Sequence, residues 1–312
     1  MSPDADREAF RILRNSPALW SMELLWRWSF GLGLLALTVA AYVHLRPALM
    51  FTEGEALNLQ DPAAFAESAT NMIAPVLPLL AKTAAQVFCV ASVLWAGISA
   101  LGRGVITRTI VRRFAKDYGV AIAPDAPRWA SFALLQCARV LMLLILVIGY
   151  LGGAYLGSLV NEQGDNVLAA SLIVLSALTF AGLVWSYVNW ILSLAPIFVA
   201  RDALSPLDAT VEAIAFIRRR FSQLKGIAIW NSALRGMAAT VITLAGVFTA
   251  VSRGIAPWAL TVLLVLETLA YLVISDILLL VRLASYASVA VRERSIAPEL
   301  ESSPDRSENT IR

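Results

Sequence analysis

Histidine is almost absent from this chain of 312 residues, with His44 standing alone. That excludes most catalytic and metal-binding designs that depend on imidazole. Cysteine is nearly as scarce. Cys89 and Cys137 both lie in apolar stretches and read as buried free thiols, since a metal site would want more donors close by. Lysine is limited to Lys82, Lys116 and Lys225, so the basic character is nearly all arginine. Charged residues of any kind make up only 15% of the chain, against about 25% in soluble domains. No nucleophile elbow, glycine-rich phosphate loop or metal-ligand spacing occurs. These shortages exclude a soluble enzyme, a disordered chain and a nucleic-acid-binding domain. No catalytic residue, metal or cofactor is expected, and the net charge of +3 is too balanced to suggest a polyanion partner.

What the chain has in excess is apolar residue. It is 59% hydrophobic, with a mean hydropathy of +0.72. A folded surface of this size could not hide that excess from water. The expected class is therefore all-α, a polytopic membrane helix bundle whose partner is the phospholipid bilayer. A crossing helix needs about 20 mostly apolar residues. Six runs qualify, at about 29–50, 72–101, 130–160, 167–190, 226–251 and 257–282. They form a membrane domain over 29–284, preceded by an amphipathic segment over 1–28 and followed by a largely disordered tail over 285–312. Residues 1–28 hold Asp4, Asp6, Glu8 and four arginines without an apolar core, so no cleavable signal peptide is expected there.

Charge sorts the connections into two kinds. The stretches after the second and fourth runs are rich in arginine, whereas those after the first and third carry Glu53, Glu55, Asp61, Glu162 and Asp165. The positive-inside rule then places both termini and the arginine-rich stretches in the cytoplasm. Asp61-Pro62 has the form of a cap and first turn for a short surface helix. Trp20, Trp26 and Trp28 precede the first run as an interfacial belt would. The fourth apolar run continues to Ala200 across Pro196, about 51 Å if helical throughout, so a kink or turn is expected near that proline.

Two basic approach segments resemble each other, Glu8–Asn15 and Glu212–Arg219. Val211, Ile214, Ala215, Ile217 and Phe221 approximate one face of the second. Either the two are chance likenesses among Arg/Ala-rich segments, or they mark an internal hairpin duplication. In the latter case each is an amphipathic interfacial helix on the inner leaflet, with arginines at anionic headgroups. The stretch Leu192-Ser193-Leu194-Ala195-Pro196-Ile197-Phe198-Val199, followed by Ser205-Pro206-Leu207-Asp208-Ala209 and by Ala213 to Arg220, resembles a bacterial pattern. It is similar to six-span bacterial membrane proteins of unknown function and to the membrane domain joined to some glycerophosphodiester phosphodiesterases. The likeness covers Trp185 to Ala250, with Glu8 to Trp28 as a weaker echo. It implies a multi-pass protein of the bacterial inner membrane. The catalytic domain of those phosphodiesterases has no counterpart here, so their activity is not implied.

Ionisable groups at bilayer depth cost about 2.5–3.5 kcal/mol each and default to candidate sites. Lys82, Arg139 and Glu267 lie deepest, Glu267 about 13 Å beyond Trp258. Tyr271 follows Glu267 at i+4, and Gln86 follows Lys82 likewise, so two polar faces are expected to meet, with Lys82 the first partner for Glu267 by depth and Arg139 the second. Arg218, Arg219 and Arg220 are candidate ligands for anionic lipid headgroups. Gly149, Gly153 and Gly157 recur at i+4, a glycine zipper that lets helices approach within the chain or in a homo- or hetero-oligomer. Three functions fit: a non-enzymatic structural or accessory membrane factor, a small-solute or ion transporter using Glu267 and Lys82, and an anionic-lipid-handling protein.

Overall fold

The computed structural model describes residues 3–50, 74–123, 129–160, 166–251 and 257–301. Seven helices make up the described chain: α1 (Pro3–Arg14), α2 (Pro17–Met50), α3 (Leu77–Tyr118), α4 (Trp129–Val160), α5 (Val167–Asp202), α6 (Pro206–Val251) and α7 (Pro257–Glu301). Six of them are long and apolar enough to cross a membrane, so the chain is an all-α, multi-pass membrane protein. The short helix expected at Asp61-Pro62 and the acidic connections fall outside the described residues.

The helices divide into two compact units. The smaller, Leu25–Ser99, holds most of α2 and the first half of α3. Within it Trp95 packs against Trp26, ring centres 5.6 Å apart, and edge-on against Phe30 at 4.9 Å. Trp26 is thereby buried, and Trp20 donates its indole N–H to Leu13 O at 2.9 Å. Of the three tryptophans expected in an interfacial belt, only Trp28 is exposed.

The larger unit comprises Met1–Leu24 and Ala100–Arg312. Its two longest helices far exceed the span of a bilayer. α6 has 46 residues and α7 has 45, roughly 68 Å each, against a hydrocarbon core of about 30 Å. The surplus length lies in the arginine-rich stretches, and there the core is built. α3 contributes Ile106, Ile110 and Phe114, and α5 contributes Leu194, Ile197 and Phe198. α6 adds Phe216 and Leu224, and α7 adds Tyr286 and Ala287, all nearly or wholly buried. Phe198 and Phe216 meet edge-on with ring centres 5.4 Å apart, the geometry favoured by the ring quadrupoles. By contrast, the most apolar stretches of α5 and α6 contain no buried residue.

This arrangement corrects three expectations. The stretch 285–301 is not a disordered tail but the end of α7. Leu280, Leu283, Ala284, Ala287, Ala290 and Val291 recur at helical spacing there and are buried. α1 does not stand apart as an interfacial helix. Its Ala5, Ala9, Ile12 and Leu13 are buried, and it packs on α7. On α6 the buried face is Ala209, Ala213, Phe216, Ile217 and Leu224, whereas Val211 and Phe221 point outward. Small alanines permit close helix approach and so choose the inner face, which a count of large apolar residues misplaces.

Helix ends obey local rules. Ser205 caps α6 through Asp208 N at 3.2 Å and donates its hydroxyl to Asp208 Oδ2 at 2.6 Å, ahead of Pro206. α6 departs from helical geometry at Arg220 (φ −119°, ψ 25°), where its extension leads into the apolar stretch.

The α4–α5 hairpin depends on glycine. A Cβ on Gly153 would sit 2.4 Å from Ala177 Cβ, and one on Gly157 would sit 2.9 Å from Val174 Cγ2 and 3.1 Å from Ala170 O. Gly149, the third residue of the series, faces open space. Gly153→Ala is therefore expected to cost about 1–3 kcal/mol in thermal unfolding. Ala177→Gly should restore most of it and Gly149→Ala should change nothing; equal losses at 149 and 153 would contradict this packing.

Candidate functional site

Pro196 does not break α5, which runs unbroken from Val167 to Asp202. A proline inside a helix removes the amide that would serve the carbonyl four residues earlier, here Leu192 O. Arg139 of α4 fills the gap. Its Nη2 donates to Leu192 O at 3.1 Å and to Ser193 Oγ at 3.4 Å, and Nη1 donates to Gln136 Oε1 at 3.2 Å. Both Gln136 and Arg139 are buried. The arginine that depth alone marked as a site residue is thus a fastener between α4 and α5. The signal was present in the chain as a basic residue and a mid-helix proline, but nothing local connects positions 139 and 196.

Glu267 lies between α6 and α7. Its Oε1 accepts a hydrogen bond from Thr249 Oγ1 at 2.9 Å. Oε2 is buried without a hydrogen-bond partner, 3.2 Å from where a Cβ on Gly246 would stand. Gly246 is thus what lets the carboxylate approach α6. Beside it runs a cavity of about 390 Å³ lined by Thr243, Gly246, Glu267, Thr268 and Tyr271 among others. Tyr271 shares this groove as expected. The partner of Glu267 is a hydroxyl and not the ammonium expected from depth. Lys82 and Gln86 belong to the smaller unit, where both are exposed, and Lys82 makes no ion pair among the described residues. Thr249 was missed because eighteen positions separate it from Glu267.

The arginine triplet is divided. Arg219 bridges Glu212 at 2.6 Å and Glu293 at 2.9 Å, and Arg220 lies 3.6 Å from Glu293. Those two are engaged in holding α6 against the end of α7; Arg219 is exposed like Arg218, but of the three only Arg218 makes no ion pair among the described residues. The hydrogen bond to Glu212 is the main reason that the Arg219 guanidinium holds its proton more tightly than usual.

Nearby, Arg201 is buried and has partners from several elements. Nη1 donates to Ala290 O at 2.6 Å, Nε to Asp202 Oδ2 at 2.8 Å, and the guanidinium lies 4.9 Å from the Phe198 ring centre. Asp202 also pairs with Arg294. Beyond the apolar stretches, α1 is held by its own carboxylates. Tyr118 OH donates to Glu8 Oε2 at 2.5 Å, Ser288 Oγ donates to the same oxygen at 3.1 Å, and Ser285 Oγ donates to Asp6 Oδ1 at 2.5 Å. Burial and then the bond to Glu8 keep the Tyr118 phenol above its ordinary value, so it remains a donor at neutral pH.

No group of three or more His, Cys, Asp or Glu among the described residues could hold a metal ion. Cys89 and Cys137 are free, and both are exposed on their helices rather than buried. No protein-family model, curated protein or solved structure matches this chain.

Proposed function

We propose that this chain is a non-enzymatic, structural or accessory factor of a bacterial inner membrane, with its termini and arginine-rich helix extensions in the cytoplasm. The observation that supports this reading is the use made of polar groups in the apolar stretches. Arg139 repairs the backbone defect at Pro196, and Glu267 is hydrogen-bonded to Thr249 across the α6–α7 hairpin. Both serve as fasteners between neighbouring helices. The alternating charge of the connections supports the orientation. The resemblance over Trp185 to Ala250 supports the bacterial setting.

One observation favours a second reading, transport of protons or small cations. Glu267 Oε2 is buried without a hydrogen-bond partner beside the groove that Thr243 and Tyr271 also line. The lipid-handling reading is left with Arg218 alone, since Arg219 and Arg220 have carboxylate partners.

A double-mutant cycle between Glu267→Gln and Thr249→Val separates the first two. A fastener gives a coupling of about 0.6–1.7 kcal/mol in unfolding, the range for hydrogen bonds between membrane helices. It also gives no proton or cation flux in proteoliposomes for any variant. Flux in the parent chain that vanishes in Glu267→Gln would sink the structural reading and establish the transporter.

A further inference from the structure

The way α1 is anchored leaves its other face charged. Asp6 and Glu8 turn inward to Ser285, Ser288 and Tyr118, while Arg7 and Arg11, one turn apart, are exposed. Arg7 and Arg11 line an open cavity of about 520 Å³ whose other walls are Glu8, Tyr118 of α3 and Arg292 of α7. Three guanidinium groups thus face one carboxylate. Glu8 Oε2 is already occupied by two hydroxyl donors, and Oε1 lies 3.8 Å from Arg11 Nη2. Neither Arg7 nor Arg292 makes an ion pair among the described residues. Three converging guanidinium groups repel one another unless an anion joins them. Their planar donor forks match the oxygens of a phosphate in pairs.

The location selects the source of that phosphate. Arg292 follows Leu280, near the end of the apolar run of α7, by about 18 Å of helix. Even at a tilt of 40°, near the upper end for membrane helices, the separation along the bilayer normal is about 14 Å. The headgroup layer on each face is only about 5–8 Å thick. The phosphates of the surrounding bilayer therefore end short of this cavity.

We propose that Arg7, Arg11 and Arg292 form a binding site for a water-borne phosphorylated anion, clamping α1 to the ends of α3 and α7. This assignment does not depend on what the membrane-spanning stretches do.

The test uses the full chain in nanodiscs of phosphatidylcholine, titrated calorimetrically with inorganic pyrophosphate at constant ionic strength. Saturable binding at one site is expected. Arg7→Gln combined with Arg292→Gln should weaken it at least tenfold with folding unchanged, since both side chains are exposed. The charge-matched pair Arg113→Gln and Arg218→Gln should leave it within twofold. Glu8→Gln, which keeps an acceptor for Tyr118 and Ser288 while removing the negative charge, should tighten it severalfold. Absence of saturable binding, or equal losses in the two arginine pairs, would overturn the site. Competition by phosphatidylglycerol in the nanodisc would overturn the water-borne source and assign the cavity to a lipid headgroup.

Discussion

Replacing Arg139 with methionine is expected to lower the unfolding free energy of the purified chain by about 2–3 kcal/mol. Methionine keeps much of the aliphatic stem but removes donors to Gln136, Leu192 O and Ser193. Hydrogen bonds from a charged group contribute about 1.5–3 kcal/mol, and an orphaned buried acceptor costs about 1–3 kcal/mol. The decisive measurement is the same substitution in a Pro196→Ala background. Alanine restores the amide at position 196, whose acceptor in a regular helix is Leu192 O. The cost of losing Arg139 should then shrink by about 1–2 kcal/mol. An identical cost in both backgrounds would show that the guanidinium does not serve the carbonyl freed by proline.

Arg201→Met should be more damaging, at about 3 kcal/mol or more, because it removes one partner of a buried ion pair and leaves the other behind. Arg201 joins the end of α5 to α7 through Ala290 O, and its own carbonyl receives the amide of Ala123 at 3.0 Å, tying down the segment after α3. Asp202 keeps Arg294, which holds the loss near the low end of the range for breaking such pairs. Hydrogen exchange should show the consequence locally. Protection around Ala287–Val291 should fall first, while the α4–α5 hairpin near Gly153 keeps its own. Uniform loss across the unit, or a change below about 1 kcal/mol, would mean that the core of the helix extensions does not depend on this residue.

The two residues differ in how far they could be read in advance. Arg139 stood out because a charge in an apolar run is costly. Arg201 did not, because it ends an apolar run, where a cation is routine. Its burial comes from partners on α7, 89 positions away. The start of α6 is set locally, since Ser205, Pro206 and Asp208 cap it by themselves. Glu267 could be found but not paired, because hairpin register decides that Thr249 and Gly246 stand opposite it. The triplet Arg218–Arg220 looked like one surface feature. Glu293, in a stretch expected to be disordered, takes up two of its three charges.

Taken alone, the amino-acid sequence determined the class of this protein, its six crossings and the alternation of charge between its connections. Those follow from hydropathy, length and local capping, which act over one or two helical turns. Only the tertiary structure decided that the arginine-rich stretches are continuations of the crossing helices, packed on α1 into a core beyond the apolar stretches. It also replaced the kink expected at Pro196 with an unbroken helix whose freed carbonyl, Leu192 O, accepts from Arg139, and it placed Arg7, Arg11 and Arg292 around one cavity. The physical reason is common to these cases. A buried carbonyl, carboxylate or guanidinium must find a partner, and the nearest one in space lies tens of residues away along the chain.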